Sequence, residues 1–190
     1  MKTYTWKQAF TQAHRAAITG NPAAQNFVGY CYDTGRGVRR DREMAKRWFE
    51  KAARAGQVDA IFNLAVINDK GQVMPRNAIR AVRLYRQAAL LGDLKSQANL
   101  AVMLLDGDGV KKDIAAGLRW LRRAAQRGDA KSQYNLGRAY AHGEDVRPNV
   151  THAQKWLSKA AKGGHDKARR LLKSMQQKAA RSSSAKRRAK

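Results

Sequence analysis

The chain has 190 residues, of which 43% are hydrophobic and 28% charged, a balance that excludes a wholly disordered protein and suits one compact domain or a short repeat array. The 39 Lys and Arg against 14 Asp and Glu give a net charge of +25, which indicates an acidic partner: nucleic acid, an anionic membrane or an acidic protein face. No signal-peptide pattern opens the chain, and no stretch approaches the roughly 20 apolar residues of a membrane span. With a single cysteine, Cys31, that cannot form an internal disulfide, we expect a cytoplasmic protein without a membrane span.

The sequence repeats itself with a period of 36 residues. The pattern Ala-Ala-x-x-Gly recurs in one register and ends at Gly20, Gly56, Gly92, Gly128 and Gly164. Glycine just past a helix favours the left-handed stop conformation. Asp41, Asn77, Asp113 and Asn149 precede apolar-periodic runs at the same period, as helix N-caps do. Each period therefore predicts a pair of helices.

The predicted elements follow one another along the chain. A capping helix covers about 5–19, and a closing helix begins near Asp166. Four helix pairs lie between them, at about 22–55, 58–91, 94–127 and 130–163. We assign residues 1–175 to this array and residues 176–190 to a basic, disordered tail, because the tail has almost nothing to bury.

The turn inside each pair differs most in the second pair. Gly37 and Gly109 occupy one position of this turn, Val73 takes it in the second pair and Asp145 in the fourth. Valine does not adopt positive φ comfortably, whereas aspartate tolerates it better. We therefore expect a different turn shape at Val73 and a milder change at Asp145.

The longest motif carries a resemblance to a known family. It reads Leu136-Gly137-x-x-Tyr140-x-x-Gly143, followed by Ala153-x-x-Trp156-x-x-x-Ala160-Ala161-x-x-Gly164. Over about residues 5–175 the chain resembles the Sel-one-like repeat family, a relative of the tetratricopeptide repeat. The resemblance implies an all-α fold, a right-handed α-solenoid of helix-turn-helix repeats with a 36-residue period. It also implies an adaptor or scaffold, since such proteins mostly lack catalytic activity.

No residue pattern indicates catalysis, a metal or a cofactor. Gly35-Arg36-Gly37 follows a helix and lacks the Gly-Lys-Ser/Thr ending of a phosphate loop. The four histidines show no metal-ligand spacing, and we expect them to be solvated at helix ends or turns. Cys31 shares its column with apolar residues, so we predict a small buried hydrophobe, with a reactive thiol as the lesser alternative.

Two sets of residues are candidates for binding a partner. The first is a basic surface on the second helices and the inter-helix turns: Arg39, Arg40, Arg47, Arg83, Lys111, Lys112, Arg119, Arg123, Arg147 and Lys155. An ordinary solvated helix face is its alternative. The second is a concave groove on the first helices, inferred by analogy with tetratricopeptide arrays: Tyr30, Phe62, Gln97, Gln133, Tyr134 and Arg138. Core packing is the alternative for Phe62 and Tyr134.

These observations favour a binding protein over an enzyme. We predict a non-catalytic protein-protein adaptor or scaffold whose basic surface favours an acidic face or peptide of another protein. The alternative is a nucleic-acid-associated protein that binds phosphate backbones without sequence preference, since no base-readout motif accompanies the charge. No small-molecule substrate is expected.

Overall fold

The computed structural model describes the backbone of residues 5–188 and the side chains of residues 5–179. Over that part of the chain the structure contains ten α-helices and no strand. In chain order the helices are α1 (Trp6–Ile18), α2 (Pro22–Thr34), α3 (Arg42–Arg54), α4 (Val58–Lys70), α5 (Ala78–Leu90), α6 (Leu94–Asp106), α7 (Ile114–Gln126), α8 (Ala130–His142), α9 (Val150–Lys162) and α10 (Asp166–Arg188). Equivalent helices start 36 residues apart, which confirms the predicted all-α repeat.

The helix ends follow the predicted chemistry. Asp41 accepts a hydrogen bond of 2.9 Å from the backbone N–H of Met44 and so caps α3, and Asn149 does the same for α9 with His152. These bonds satisfy amide donors that have no partner inside the helix. The periodic Asp and Asn residues are therefore N-caps.

Packing divides the chain into two compact units, residues 1–112 and 113–190. The first contains α1 to α6 and the second α7 to α10. Within each unit, helices that are consecutive in the chain pack against one another. The boundary falls in the turn after α6, a division that the uniform repeat does not predict.

The core of the first unit joins small and large side chains from neighbouring helices. Ala45, Phe49 and Ala52 of α3 pack with Leu64 and Ile67 of α4. Close helix contact also depends on a small residue in α2: a Cβ added to Gly29 would lie 2.7 Å from the ring of Phe49. A side chain at this position would therefore keep α2 and α3 apart.

The second unit is built on the same principle with aliphatic side chains. Leu157 and Ala160 of α9 pack with Ala168 of α10, and all three are fully buried. In α8, a Cβ on Gly137 would lie 2.6 Å from Cγ of Leu157. The closing helix α10 is therefore anchored to α9 by its first turns.

The turn predicted to differ at Val73 does differ. Among the described residues, Asp145 is the one non-glycine with positive φ, at 58°, so Val73 does not take the left-handed conformation of Gly37 and Gly109. The turn at Gly109 also packs tightly, because a Cβ there would lie 2.4 Å from the carbonyl carbon of Ala78. Asp145 keeps the glycine-like backbone, as predicted.

The last helix continues beyond the predicted end of the array. Helix α10 runs on to Arg188 and so includes most of residues 176–190, for which the sequence predicts a disordered tail. The sequence predicts disorder there because residues 176–190 have almost no apolar surface to bury. Ala, Lys, Arg and Gln are strong helix formers, and their local preference extends a helix that the first turns of α10 have already started.

Candidate functional site

The residues of the predicted basic surface all lie at the surface of the protein. Each of the ten side chains is exposed. Four of them recur at one position of the second helices: Arg47 and Arg83 in the first unit, Arg119 and Lys155 in the second. Within the described residues, none of these four forms an ion pair with an acid. Their charges are thus uncompensated by neighbouring carboxylates.

The scarcity of acidic partners has a structural cause. The chain has 14 Asp and Glu, and four of them, Asp41, Asp93, Asp113 and Asp129, bind backbone N–H groups as helix N-caps. A carboxylate held by the first turn of a helix is stabilised there by the N–H groups and the helix dipole. The second-helix faces therefore retain an excess of cations.

Arg123 has a contact besides its exposure to solvent. Its guanidinium carbon lies 5.5 Å from the ring centroid of Trp120, three residues earlier. The same arrangement recurs at Lys159 over Trp156, at 5.0 Å. The cation shields the indole face from water and gains cation-π attraction. This column therefore covers half-buried tryptophans as well as adding charge.

The arginines after the first helices also close the inter-helix turns. The Nε of Arg40 donates to the backbone carbonyl of Asp33 at 2.7 Å, and Arg76 makes the equivalent bond to Asp69 at 2.8 Å. Arg76 further binds the carboxylate of Asp108 through both terminal nitrogens. These bonds hold the pKa of Asp108 below its usual range. Arg40 is thus a turn-stabilising residue as well as a surface cation.

Two residues predicted for the concave groove are structural instead. Gln97 is fully buried and its Nε2 donates to the carbonyl of Ala89 at 3.0 Å. Gln133 is 7% exposed and donates to Ala125 at 3.0 Å. The prediction that they line a groove is therefore wrong. The spacing places both residues on first helices, as predicted. Their side chains are nevertheless buried, because each amide donates to a backbone carbonyl at the end of the preceding helix.

Tyr30 and Phe62 are half-buried, so they serve the packing at least in part. The ring of Tyr30 packs against the core of the first unit, and the guanidinium carbon of Arg36 lies 5.5 Å from its centroid. Phe62 lies 6.1 Å from Tyr85, centroid to centroid, and the Nζ of Lys95 is 5.6 Å from the Phe62 ring. Core packing accounts for one side of each ring.

Tyr134 and Arg138 come together in a basic pocket of the second unit. The pocket has a volume of about 600 Å³ and lies between α8 and α10. Its lining residues are Lys131, Tyr134, Asn135, Arg138, Gly164, His165, Asp166, Lys167 and Arg170. The predicted groove set lacked Lys131 and Lys167, although Lys95, Lys131 and Lys167 stand 36 residues apart and could have been found by the same spacing argument.

The pocket contains a fixed pair of rings. Tyr134 and His165 are stacked with centroids 4.4 Å apart. The Nδ1 of His165 accepts a hydrogen bond of 3.2 Å from the backbone N–H of Ala168 and so caps α10. His165 is therefore half-buried and held at both its face and its edge, unlike the solvated histidine that the sequence predicts.

Another histidine is also packed instead of solvated. His14 lies between Phe10 and Trp48, with ring centroids 5.5 Å from each.

Cys31 is fully buried, as predicted, and burial raises the pKa of its thiol against the opposing influence of Arg36. No three His, Cys, Asp or Glu among the described residues are grouped to hold a metal ion.

Within the same part of the chain, no helix has both the length and the apolar composition that crossing a bilayer requires.

Comparison with known protein families matches four segments of the chain to the Sel1 repeat: residues 22–57, 58–93, 94–129 and 130–165. The matched segments begin at the first residues of α2, α4, α6 and α8. Each match thus contains one first helix, one turn and one second helix.

Solved structures of similar proteins support the same fold. A Sel1 repeat protein from Oxalobacter formigenes has a TM-score of 0.82 at 34% identity, over 88% of this chain and 66% of that one. The protective antigen c5321 of uropathogenic Escherichia coli, described as having an SLR fold, has a TM-score of 0.80 at 35% identity. That match covers 84% of this chain and 34% of the antigen.

Similar segments also occur in two curated yeast proteins. Chitin synthase regulatory factor 4 of Schizosaccharomyces pombe is 40% identical over 62 residues, 33% of this chain and 9% of the factor. The chitin synthase regulator SKT5 of Saccharomyces cerevisiae is 50% identical over 46 residues, 24% of this chain and 7% of the regulator. The chain therefore matches less than a tenth of the length of either relative.

Proposed function

Because the chain belongs to the Sel1 repeat family, whose members are protein-interaction scaffolds, we propose that it is a non-catalytic adaptor whose basic surface favours acidic protein partners. A free, buried cysteine suits a reducing compartment, and we expect the protein to act in the cytoplasm. The matched segments of two yeast proteins named as chitin synthase regulators support a regulatory role over a catalytic one.

The observation that carries this proposal is the set of exposed cations without acidic partners on the second helices. Arg47 and Arg83 of the first unit and Arg119 and Lys155 of the second have no ion pair within the described residues. Cations that already had carboxylate neighbours would gain less from a partner than these four do. Unpaired cations attract an acidic protein over a distance of about one Debye length and raise the association rate.

Nucleic-acid binding is the alternative that the net charge of +25 favours. A protein that neutralises duplex phosphates loses affinity steeply with salt, with log K falling by about 0.9 per phosphate neutralised for each unit of log salt. The adaptor should instead retain a specific peptide or protein partner after nuclease treatment. The two functions therefore differ in the ligand that the protein retains after nuclease treatment.

The test is a binding titration of the purified, nuclease-treated full chain by fluorescence anisotropy. The labelled probes are poly-glutamate, poly-glutamine of the same length and a DNA duplex, each measured over a range of salt concentrations. Binding of poly-glutamate but not poly-glutamine, at least as tight as binding of the duplex, supports the adaptor. Tight duplex binding with no measurable affinity for poly-glutamate overturns it and favours the nucleic-acid function.

A further inference from the structure

We propose that the basic pocket between α8 and α10 is the docking site for an extended acidic segment of the protein partner. This inference rests on the proposed adaptor function and adds its location and ligand chemistry. The pocket lies wholly within the second unit. Its cations are Lys131 and Arg138 from α8 and Lys167 and Arg170 from α10.

The charges around the pocket favour an anionic occupant. Asp166 is the acid that lines it, and its Oδ1 is bound at 2.8 Å by Arg169, which is outside the pocket lining. Lys131, Lys167 and Arg170 have no acidic partner within the described residues. The pocket is thus lined by four cations and one acid, and three of the four cations have no acidic partner within the described residues.

Arg138 is also available to a ligand. Its Nη2 forms an ion pair of 3.1 Å with Glu144, and both side chains are about half exposed, at 49% and 47%. A solvent-exposed pair of this kind contributes little free energy and exchanges readily with water. A carboxylate that approaches Arg138 inside the pocket therefore competes with a weak interaction.

The spacing of the cations fits a run of acidic residues better than a single small anion. Lys131 and Arg138 stand seven residues apart on α8, which places them on one face about 10 Å apart along the helix axis. An extended peptide covers about that distance in three residues. A single carboxylate would have to draw both long side chains together, whereas two or three carboxylates along a peptide can pair with each cation separately.

Polar and aromatic groups in the pocket favour a peptide over a phosphate backbone. The amide of Asn135 offers both a donor and an acceptor, as a peptide main chain requires. Tyr134 and His165 cover one face of each other, and His165 is fixed by its cap on α10, so these rings form a rigid wall. A pocket preorganised in this way loses little entropy when a peptide binds.

The test compares two full-length variants by fluorescence anisotropy with labelled hexaglutamate. Lys131→Ala with Arg170→Ala removes two pocket cations, and Arg54→Ala with Arg86→Ala removes two exposed cations of the first unit that lie outside the predicted basic surface. Both pairs lower the net charge equally. We expect the pocket pair to weaken binding roughly tenfold and the control pair less than about twofold.

A second readout uses the unmodified protein. Saturating hexaglutamate should slow acetylation of Lys131 and Lys167 by an amine-reactive ester, as measured by mass spectrometry, while exposed Lys162 on α9 keeps its rate. Equal protection of all three lysines, or equal loss of affinity in both variants, would overturn the pocket but leave the proposed adaptor function standing. Failure of the wild-type chain to bind hexaglutamate, with oligothymidylate bound instead, would overturn the peptide as occupant and count against the adaptor as well.

Discussion

The side-chain amide of Gln97 donates a hydrogen bond of 3.0 Å to the backbone carbonyl of Ala89 and so ties α6 to the end of α5. Gln133 and Ala125 repeat the contact in the second unit. In α4 the equivalent position holds Ile61, which is fully buried. The contact at this position is thus a hydrogen bond from a buried amide in some repeats and a buried apolar side chain in another.

Replacing Gln97 should test how much its contact with the end of α5 stabilises the first unit. Gln97→Ala removes the hydrogen bond and leaves a cavity, so we expect the free energy of unfolding to fall by about 2–3 kcal/mol. Gln97→Ile, which copies Ile61, should cost less than about 1.5 kcal/mol because it restores the volume. Urea denaturation followed by circular dichroism gives both values. An equal loss of unfolding free energy in the two variants would show that the lost side-chain volume contributes little to the destabilisation.

Gly109 and Gly56 separate backbone strain from steric contact. Both have positive φ, at 69° and 80°, but a Cβ on Gly109 would lie 2.4 Å from the Ala78 carbonyl carbon, whereas Gly56 faces open space. Alanine should cost about 1 kcal/mol at Gly56, from conformation alone, and about 3 kcal/mol at Gly109, where a backbone clash is added. Thermal unfolding of the two variants is the measurement. Similar losses at both sites would contradict the close contact between this turn and α5.

Cys31 should be unreactive in the folded protein. Its side chain is fully buried, and burial raises the pKa of the thiol, so little thiolate forms and no reagent reaches it. We expect dithionitrobenzoate to react with less than about one tenth of the protein within minutes under native conditions, because it reaches the thiol only when the structure opens locally, and with all of it in denaturant. Fast reaction of the native protein would show that α2 opens readily.

The ion pair between Arg76 and Asp108 should be visible in the titration of Asp108. Its pKa is depressed in the folded state, so the stabilisation from this pair is present above the unfolded pKa, about 3.9 for aspartate, and is lost as the pH falls through the folded value. Arg76→Gln should raise the pKa of Asp108 towards its ordinary value, measured by carboxyl carbon NMR. Arg39→Gln, which removes an exposed cation from the preceding turn, is the matched control.

An unchanged Asp108 titration in the Arg76 variant would contradict the pairing. Arg76→Gln should lower the free energy of unfolding only slightly, because its ion pair with Asp108 is exposed and screened by solvent.

The period of 36 residues, the ten helices of the described chain and their caps could all be predicted from the sequence. These features depend on local chemistry: Asp41 caps because its side chain reaches the next amides, and Val73 changes its turn because a branched side chain disfavours positive φ. The exposure of the second-helix cations follows from the same periodicity. The motif of the Sel1 repeat consists of residues at fixed local spacing and is therefore visible in the sequence alone.

The tertiary structure decided which polar side chains are available to a partner. Gln97 and Tyr134 occupy neighbouring columns of the same kind of helix, yet one is buried against a backbone carbonyl and the other lines an open pocket. Periodicity gives the face of a helix, but burial depends on what the adjacent helix places opposite it. The pocket itself needs Lys131 from α8 and Lys167 from α10, and only the packing of these helices brings their charges to one place.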